Sequence, residues 1–255
     1  LIADPWFYCL AIPALLFTGV SKGGLGAGAG ILSVPLMSLA IPPTQAAGIM
    51  LPVLCVMDLI GLWSYRSRHD GAKLAFLLPA AVIGIALGTL TFGWLSEAGI
   101  RLVIGGIAVM FVARHWIGVL RRDHARRRPP PGPAAGMFWS AISGYTSFVA
   151  HAGGPPLSVY LLPQKLDKTV FVGTTVVFFA VVNAAKLGPY AWLGQLQPGN
   201  LATSLVLLPL APLGMALGFW LHRRIDPVTF FRICHGLLLV TGAKLSWDGL
   251  RGLLA

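Results

Sequence analysis

Apolar residues fill this chain in long runs, and the polar positions gather where the runs stop. Runs approaching the ~20 residues needed to cross a bilayer predict membrane helices. In the first part they cover roughly 5–20, 25–41, 44–65, 74–95 and 99–120. In the second part they cover roughly 135–147, 153–163, 169–192, 200–222 and 227–250. Each part opens with two short runs around a break. The first break is Ser21-Lys22-Gly23-Gly24, within GVSKGGLGAGAGILSVPL. The second surrounds His151-Ala152-Gly153-Gly154, within GYTSFVAHAGGPPLSVYL. Irregular backbone at membrane depth is tolerated only where protein buries it or it lines a watery cavity. Each break is therefore expected to border a site.

The two stretches align without gaps at a shift of 125 residues, 144 − 19. Gly19 falls on Gly144, Ser21 on Thr146, Gly28 on Gly153 and Leu32-Ser33-Val34 on Leu157-Ser158-Val159. The same shift puts Gly48 on Gly173, Asp58 on Asn183, Leu62 on Leu187 and Tyr65 on Tyr190. After a short insertion, Leu78-Pro79 meets Leu208-Pro209, and Gly84 meets Gly214. These matches predict a duplicated membrane fold. Its first repeat is 1–120, a basic proline-rich linker is 121–135, and its second repeat is 136–255. Five segments per repeat is an odd number, so the second repeat is expected to enter the membrane upside down. The fold class is then an all-α polytopic membrane protein of two inverted-topology repeats. Each repeat has a broken or re-entrant short helix pair and three long transmembrane helices.

Charge sharpens that picture. Only 11% of the residues are charged, against about 25% in an ordinary soluble domain. The net charge of +11 would suit nucleic acid, but the basic residues sit in short loops between apolar runs. That is the positive-inside pattern, and nucleic acid is excluded as a partner. The loop Tyr65–Lys73, the linker 121–135, the loop 164–168 and His222-Arg223-Arg224 are expected to be cytoplasmic. The loops 95–100 and 194–200 are expected outside, with both chain ends. Asp4-Pro5-Trp6 leads straight into the first helix, so no cleavable signal is expected. Cys9, Cys55 and Cys234 show no ligand spacing and read as small core residues. No metal and no cofactor is expected.

A few polar residues lie within the apolar runs. Asp58, in PVLCVMDLIGLW, is the one deeply placed acid, and a carboxylate there costs at least about 2.5–3.5 kcal/mol on insertion scales. It is a candidate for proton coupling, or else a hydrogen bond to a neighbouring helix. Lys22 lies in the first break and Lys186 three residues after Asn183; either can bind substrate or snorkel to an interface. Asp248 follows Lys244 by four residues and reads as a local ion pair. His151 stands beside glycines and prolines in the second break, where it is either a structural donor or a ligand. Half-helices starting near Gly26 and Gly154 would aim backbone amides inward. Ser21, Lys22, Gly23, Gly24, Thr146, Ser147, His151, Gly153, Gly154, Asn183 and Lys186 together form a candidate anion site. Asp58 and His151 form no nucleophile–base motif, which argues against a membrane-embedded enzyme.

GVSKGGLGAGAG with Val34-Pro35, the loop GLWSYRSRHD and the segment HAGGPPLSVYLLP resemble the TauE/SafE sulfite and organosulfonate exporter family. That family is also described as the toluene-sulfonate uptake permease family. The resemblance covers nearly the whole chain. It implies a multi-pass permease of the bacterial inner membrane that moves sulfite or organosulfonates, here expected to be an exporter by alternating access, with proton coupling as an option. The implied partners are a small sulfur anion and the lipid bilayer, with a homodimer allowed. A channel-like anion pore, a membrane enzyme and a non-transporting subunit are the rival readings. HAGGPP stands where the first half has GLGAGAG, so the two breaks need not serve one purpose.

Overall fold

The computed structural model describes residues 1–25, 29–94, 96–120, 130–221 and 227–254. Among them there are helices and no strands. The α-helices are α1 Pro5–Val20, α2 Ser33–Met37, α3 Pro43–Tyr65, α4 Gly71–Phe92, α5 Glu97–Leu120, α6 Pro133–Ala150, α7 Gly154–Leu161, α8 Lys168–Trp192, α9 Pro198–Leu207, α10 Leu210–Leu221 and α11 Pro227–Leu254. Among the described residues four segments are long and apolar enough to span a bilayer: Pro5–Gly24, Pro43–Tyr65, Gly71–Phe92 and Thr169–Trp192. The bent pair α9 and α10 qualifies as a fifth. The chain is an all-α polytopic membrane protein.

Helix starts follow local chemistry. Asp4, Asp70 and Asp167 accept backbone N–H bonds from Trp6, Lys73 and Thr169 and so cap α1, α4 and α8. Such caps satisfy amides that have no partner in the first turn. Proline opens α3, α6 and α9, where its missing N–H costs nothing.

The packing obeys a simple exchange rule. Helix α1 packs on α10 and α6 on α4, whereas α3 packs on α8 and α5 on α11. Swapping the two sequence repeats turns each of the first two contacts into the other and leaves the last two unchanged. Glycines permit the swapped pair. A Cβ on Gly19 would lie 2.6 Å from the Gly214 backbone, and one on Gly144 would lie 2.1 Å from the Ala81 carbonyl oxygen. A Cβ on Gly84 would lie 1.9 Å from the Ala141 oxygen. No side chain fits there, so the helix backbones touch.

Helices α3 and α8 run antiparallel. Gly48 meets Gln195, Asp58 meets Asn183, Gly61 meets Val176, and Tyr65 meets Gly173. Helices α1 and α10 run parallel, as do α4 and α6, because contacts advance together along both members. One end of the bundle gathers Arg68 against Gly173, the Asp70 amide on Thr174 and Gln164 on the Pro131 carbonyl. The other end gathers Ile2 on Thr203, Gln45 on Asn200 and Arg101 on the Ser38 carbonyl.

Three expectations change. The run 25–41 was expected as one helix. Instead α1 ends in a π-helical turn, Ser21–Leu25, and a 3-10 turn, Ala29–Leu32, leads into the five residues of α2. Gly23 and Gly24 in the π turn and Gly30 in the 3-10 turn add backbone freedom that disfavours a regular helix. The run 200–222 divides into α9 and α10, bent by 41°. Pro209 and Pro212 remove two N–H donors within one turn. In α4, Pro79 has Val82 where Pro212 would stand, and that helix continues. Cys9 is exposed and Cys55 half-buried, so neither is a core residue; the Cys234 side chain lies outside the described residues. Residues 121–129 of the linker, His222-Arg223-Arg224, and Gly26 and Gly28 also lie outside them.

Candidate functional site

The two breaks reach one region from opposite ends. Helix α1 carries Ser21 and Lys22 towards the end that holds Tyr65. Helix α6 ends at Ala150 beside the start of α3, and there His151 Nε2 bonds the Ala47 carbonyl, 3.0 Å away. Between them lies a cavity of about 40 Å³ lined by Thr18, Ser21, Lys22, Ile31, Leu54, Ser147, His151, Gly154, Phe179 and Asn183. A water needs roughly 10–15 Å³ on this measure, so the cavity has room for a few atoms and not for an aromatic ring. A far larger hollow between Ala86, Leu90 and Trp192 is open and apolar, with no charged group.

Asp58 stands at the centre and is 4% exposed. Its Oδ1 accepts from the Lys22 ammonium, and its Oδ2 accepts from Asn183 Nδ2 at 2.5 Å. Asp58 and Asn183 are equivalent positions of the two repeats, and here they touch. Equivalent tyrosines also make equivalent bonds: Tyr65 Oη donates to the Gly23 carbonyl and Tyr190 Oη to the Phe148 carbonyl.

The second break is built differently. His151 closes α6 in the left-handed region, φ 51° and ψ 28°, an uncommon and costly conformation for a non-glycine residue. The amides of His151 and Ala152 bond back to the carbonyls of Ser147 and Thr146, which ends the helix. Lys186 is fully buried, and its Nζ donates to the Ser147 carbonyl and hydroxyl, both at 3.1 Å, and to His151 Nδ1 at 2.8 Å. The Ala47 carbonyl requires a proton on Nε2, so neutral His151 offers Nδ1 as the acceptor. Among the described residues no carboxylate bonds Lys186. The buried centre thus holds two lysines and one carboxylate.

Of the residues expected at the site, Ser21, Lys22, Ser147, His151, Gly154 and Asn183 line the cavity, and Asp58 and Lys186 bond to its lining. Gly23 instead packs on α10, and Thr146 bonds the Ile142 carbonyl. The Gly153 carbonyl accepts from Ser143. Gly24 is buried in the π turn. The amides expected from α7 are few, because Pro155 and Pro156 carry none. Thr18, Ile31, Leu54 and Phe179 were not anticipated. Thr18 and Leu54 each lie about one turn from a named residue, Ser21 and Asp58, so helical spacing could have found them. Lys244 and Asp248 form the expected local pair.

Among the described residues, no group of three His, Cys, Asp or Glu side chains could hold a metal. No curated protein and no solved structure matches the chain. Residues 11–245 match the family described as "Sulfite exporter TauE/SafE". The chain therefore belongs to the TauE/SafE sulfite exporter family, membrane transporters of small sulfur anions.

Proposed function

We propose that the protein is a secondary carrier that exports sulfite or a related small sulfur anion across the bacterial inner membrane by alternating access. Residues 1–120 and 136–255 act as two inverted repeats. Their shared centre, bounded by Lys22 and Asp58 on one side and Ser147, His151 and Lys186 on the other, seats the anion.

One observation carries this reading: the two breaks meet at one cavity beside which lie two lysines and one carboxylate. An uncompensated buried cation is expensive, and an anion would offset it. Antiparallel contact between equivalent helices α3 and α8 supports a two-fold axis lying in the membrane plane. An axis along the membrane normal would leave those helices parallel. Basic residues gathered near Arg68 support that end as the cytoplasmic one. The mixed lining suits a sulfur oxyanion, with donors from Lys22, Ser147 and Asn183 and apolar cover from Ile31, Leu54 and Phe179.

Flux from sulfite-loaded proteoliposomes tests the proposal. A carrier gives saturable efflux that speeds up when sulfite is also present on the far side. Efflux that rises linearly with concentration and shows no such exchange would mean an anion pore instead.

A further inference from the structure

Asp58 sits where an anion would sit. Its two oxygens take the Lys22 ammonium and the Asn183 amide, and both donors line the cavity. We infer that Asp58 is a built-in competitor for the transported anion, and that anion and proton bind together because protonating Asp58 frees Lys22 for the anion. The inference rests on the anion seat proposed above and adds to it the sense of coupling.

The surrounding groups favour Asp58 as the proton acceptor. Lys22 faces it from the π turn, Asn183 and Lys186 from α8, and Cys55 from its own helix one turn away, while His151 at the end of α6 bonds Lys186. Tyr190 keeps its hydroxyl on the Phe148 carbonyl. His151 Nε2 and Nδ1 are both engaged, by the Ala47 carbonyl and by Lys186. Adding a proton to Nδ1 would set it against the Lys186 ammonium. Asn183 has both a donor and an acceptor, so it can hold Asp58 ionised or neutral. With Asp58 ionised, an incoming oxyanion meets a negative neighbour that already holds Lys22. With Asp58 neutral, the same oxyanion meets a free ammonium.

The net charge moved then depends on the anion. A divalent anion with one proton leaves one net negative charge, which an inside-negative potential drives outward. A monovalent sulfonate with one proton is neutral and follows the pH gradient.

Methanesulfonate is a suitable probe, because it carries one charge at any working pH and releases no proton itself. Its binding to the purified protein is measured by calorimetry at neutral pH, in two buffers of different ionisation heat. The expected result is uptake of about one proton per anion bound, and an affinity that falls about tenfold per unit rise in pH. Asp58→Asn should bind without proton uptake and with no pH dependence. Wild-type binding without proton uptake would overturn the inference and leave the anion seat standing. Proton uptake retained in Asp58→Asn would also overturn it. Absence of binding by both methanesulfonate and sulfite would instead remove the seat itself, and the inference with it. Should Asp58→Asn fail to fold, the wild-type proton count still decides.

Discussion

The two breaks share a skeleton and differ in chemistry. In the first, an ammonium that is 17% exposed meets a carboxylate. In the second, a fully buried ammonium meets a carbonyl, a hydroxyl and a neutral imidazole. Equivalent tyrosines brace both breaks, and equivalent helices pack on both. Symmetry is thus kept where backbones must touch and abandoned where an anion would meet the protein. The 125-residue register aligns the two breaks and the helices that pack on them. Within that register Asp58 stands opposite Asn183 and Lys22 opposite Ser147, so the shared centre carries one carboxylate and two lysines, Lys22 and Lys186.

The contrast can be broken most forcefully at the lysines. Lys22→Met strands a buried carboxylate and should cost about 3 kcal/mol, seen as a lower unfolding temperature in detergent. Adding Asp58→Asn should restore most of that loss. Lys186→Met should behave oppositely. It removes an ammonium that has no acidic partner, so the unfolding temperature should hold or rise. Sulfite affinity should nevertheless fall by about 2 kcal/mol or more, at least ~thirtyfold in titration.

The shared skeleton can be tested at its glycines. Gly84→Ala and Gly144→Ala force a methyl into a carbonyl of the facing helix and should each lower stability by about 1–3 kcal/mol. Gly106→Ala, with open space around its Cβ, should be neutral in the same thermal assay. A weaker contrast lies in the tyrosines. Tyr190→Phe should lose about 1 kcal/mol, and Tyr65→Phe less, since its bond is 3.2 Å rather than 2.6 Å and is half-buried.

The smallest effect lies outside the bilayer. Lys73 donates to Asp70 from its ammonium and its amide, and the ammonium bond chiefly holds that carboxyl below its ordinary range. A depressed carboxyl stabilises the fold above its unfolded pKa, and the gain disappears as the pH falls through the folded value. Asp70→Ala should cost about 0.5 kcal/mol at neutral pH and less in acid, in thermal unfolding across pH.

Much of this was legible in the sequence because bilayers leave few options. Apolar run length marked the long helices, and the register that placed Asp58 on Asn183 also named two residues that touch in space. Other features depended on cooperation that no single stretch displays. The bend after Leu207 needs Pro209 and Pro212 together, whereas Leu78-Pro79 alone leaves α4 continuous. The left-handed His151 depends on the Ala47 carbonyl, 104 residues away in sequence. Phe179 entered the cavity lining through helix packing, since nothing in its local sequence separates it from Phe178, which is fully buried.

The central claim is that one anion sits between the two breaks and takes Lys22 from Asp58. A structure of the lipid-embedded protein with sulfite bound tests it most directly. The account predicts density in the cavity between Lys22 and Ser147, within bonding reach of the Lys22 ammonium, with the Lys22–Asp58 contact opened. Sulfite found only among the basic residues near Arg66 and Arg68, with that contact intact, would contradict it.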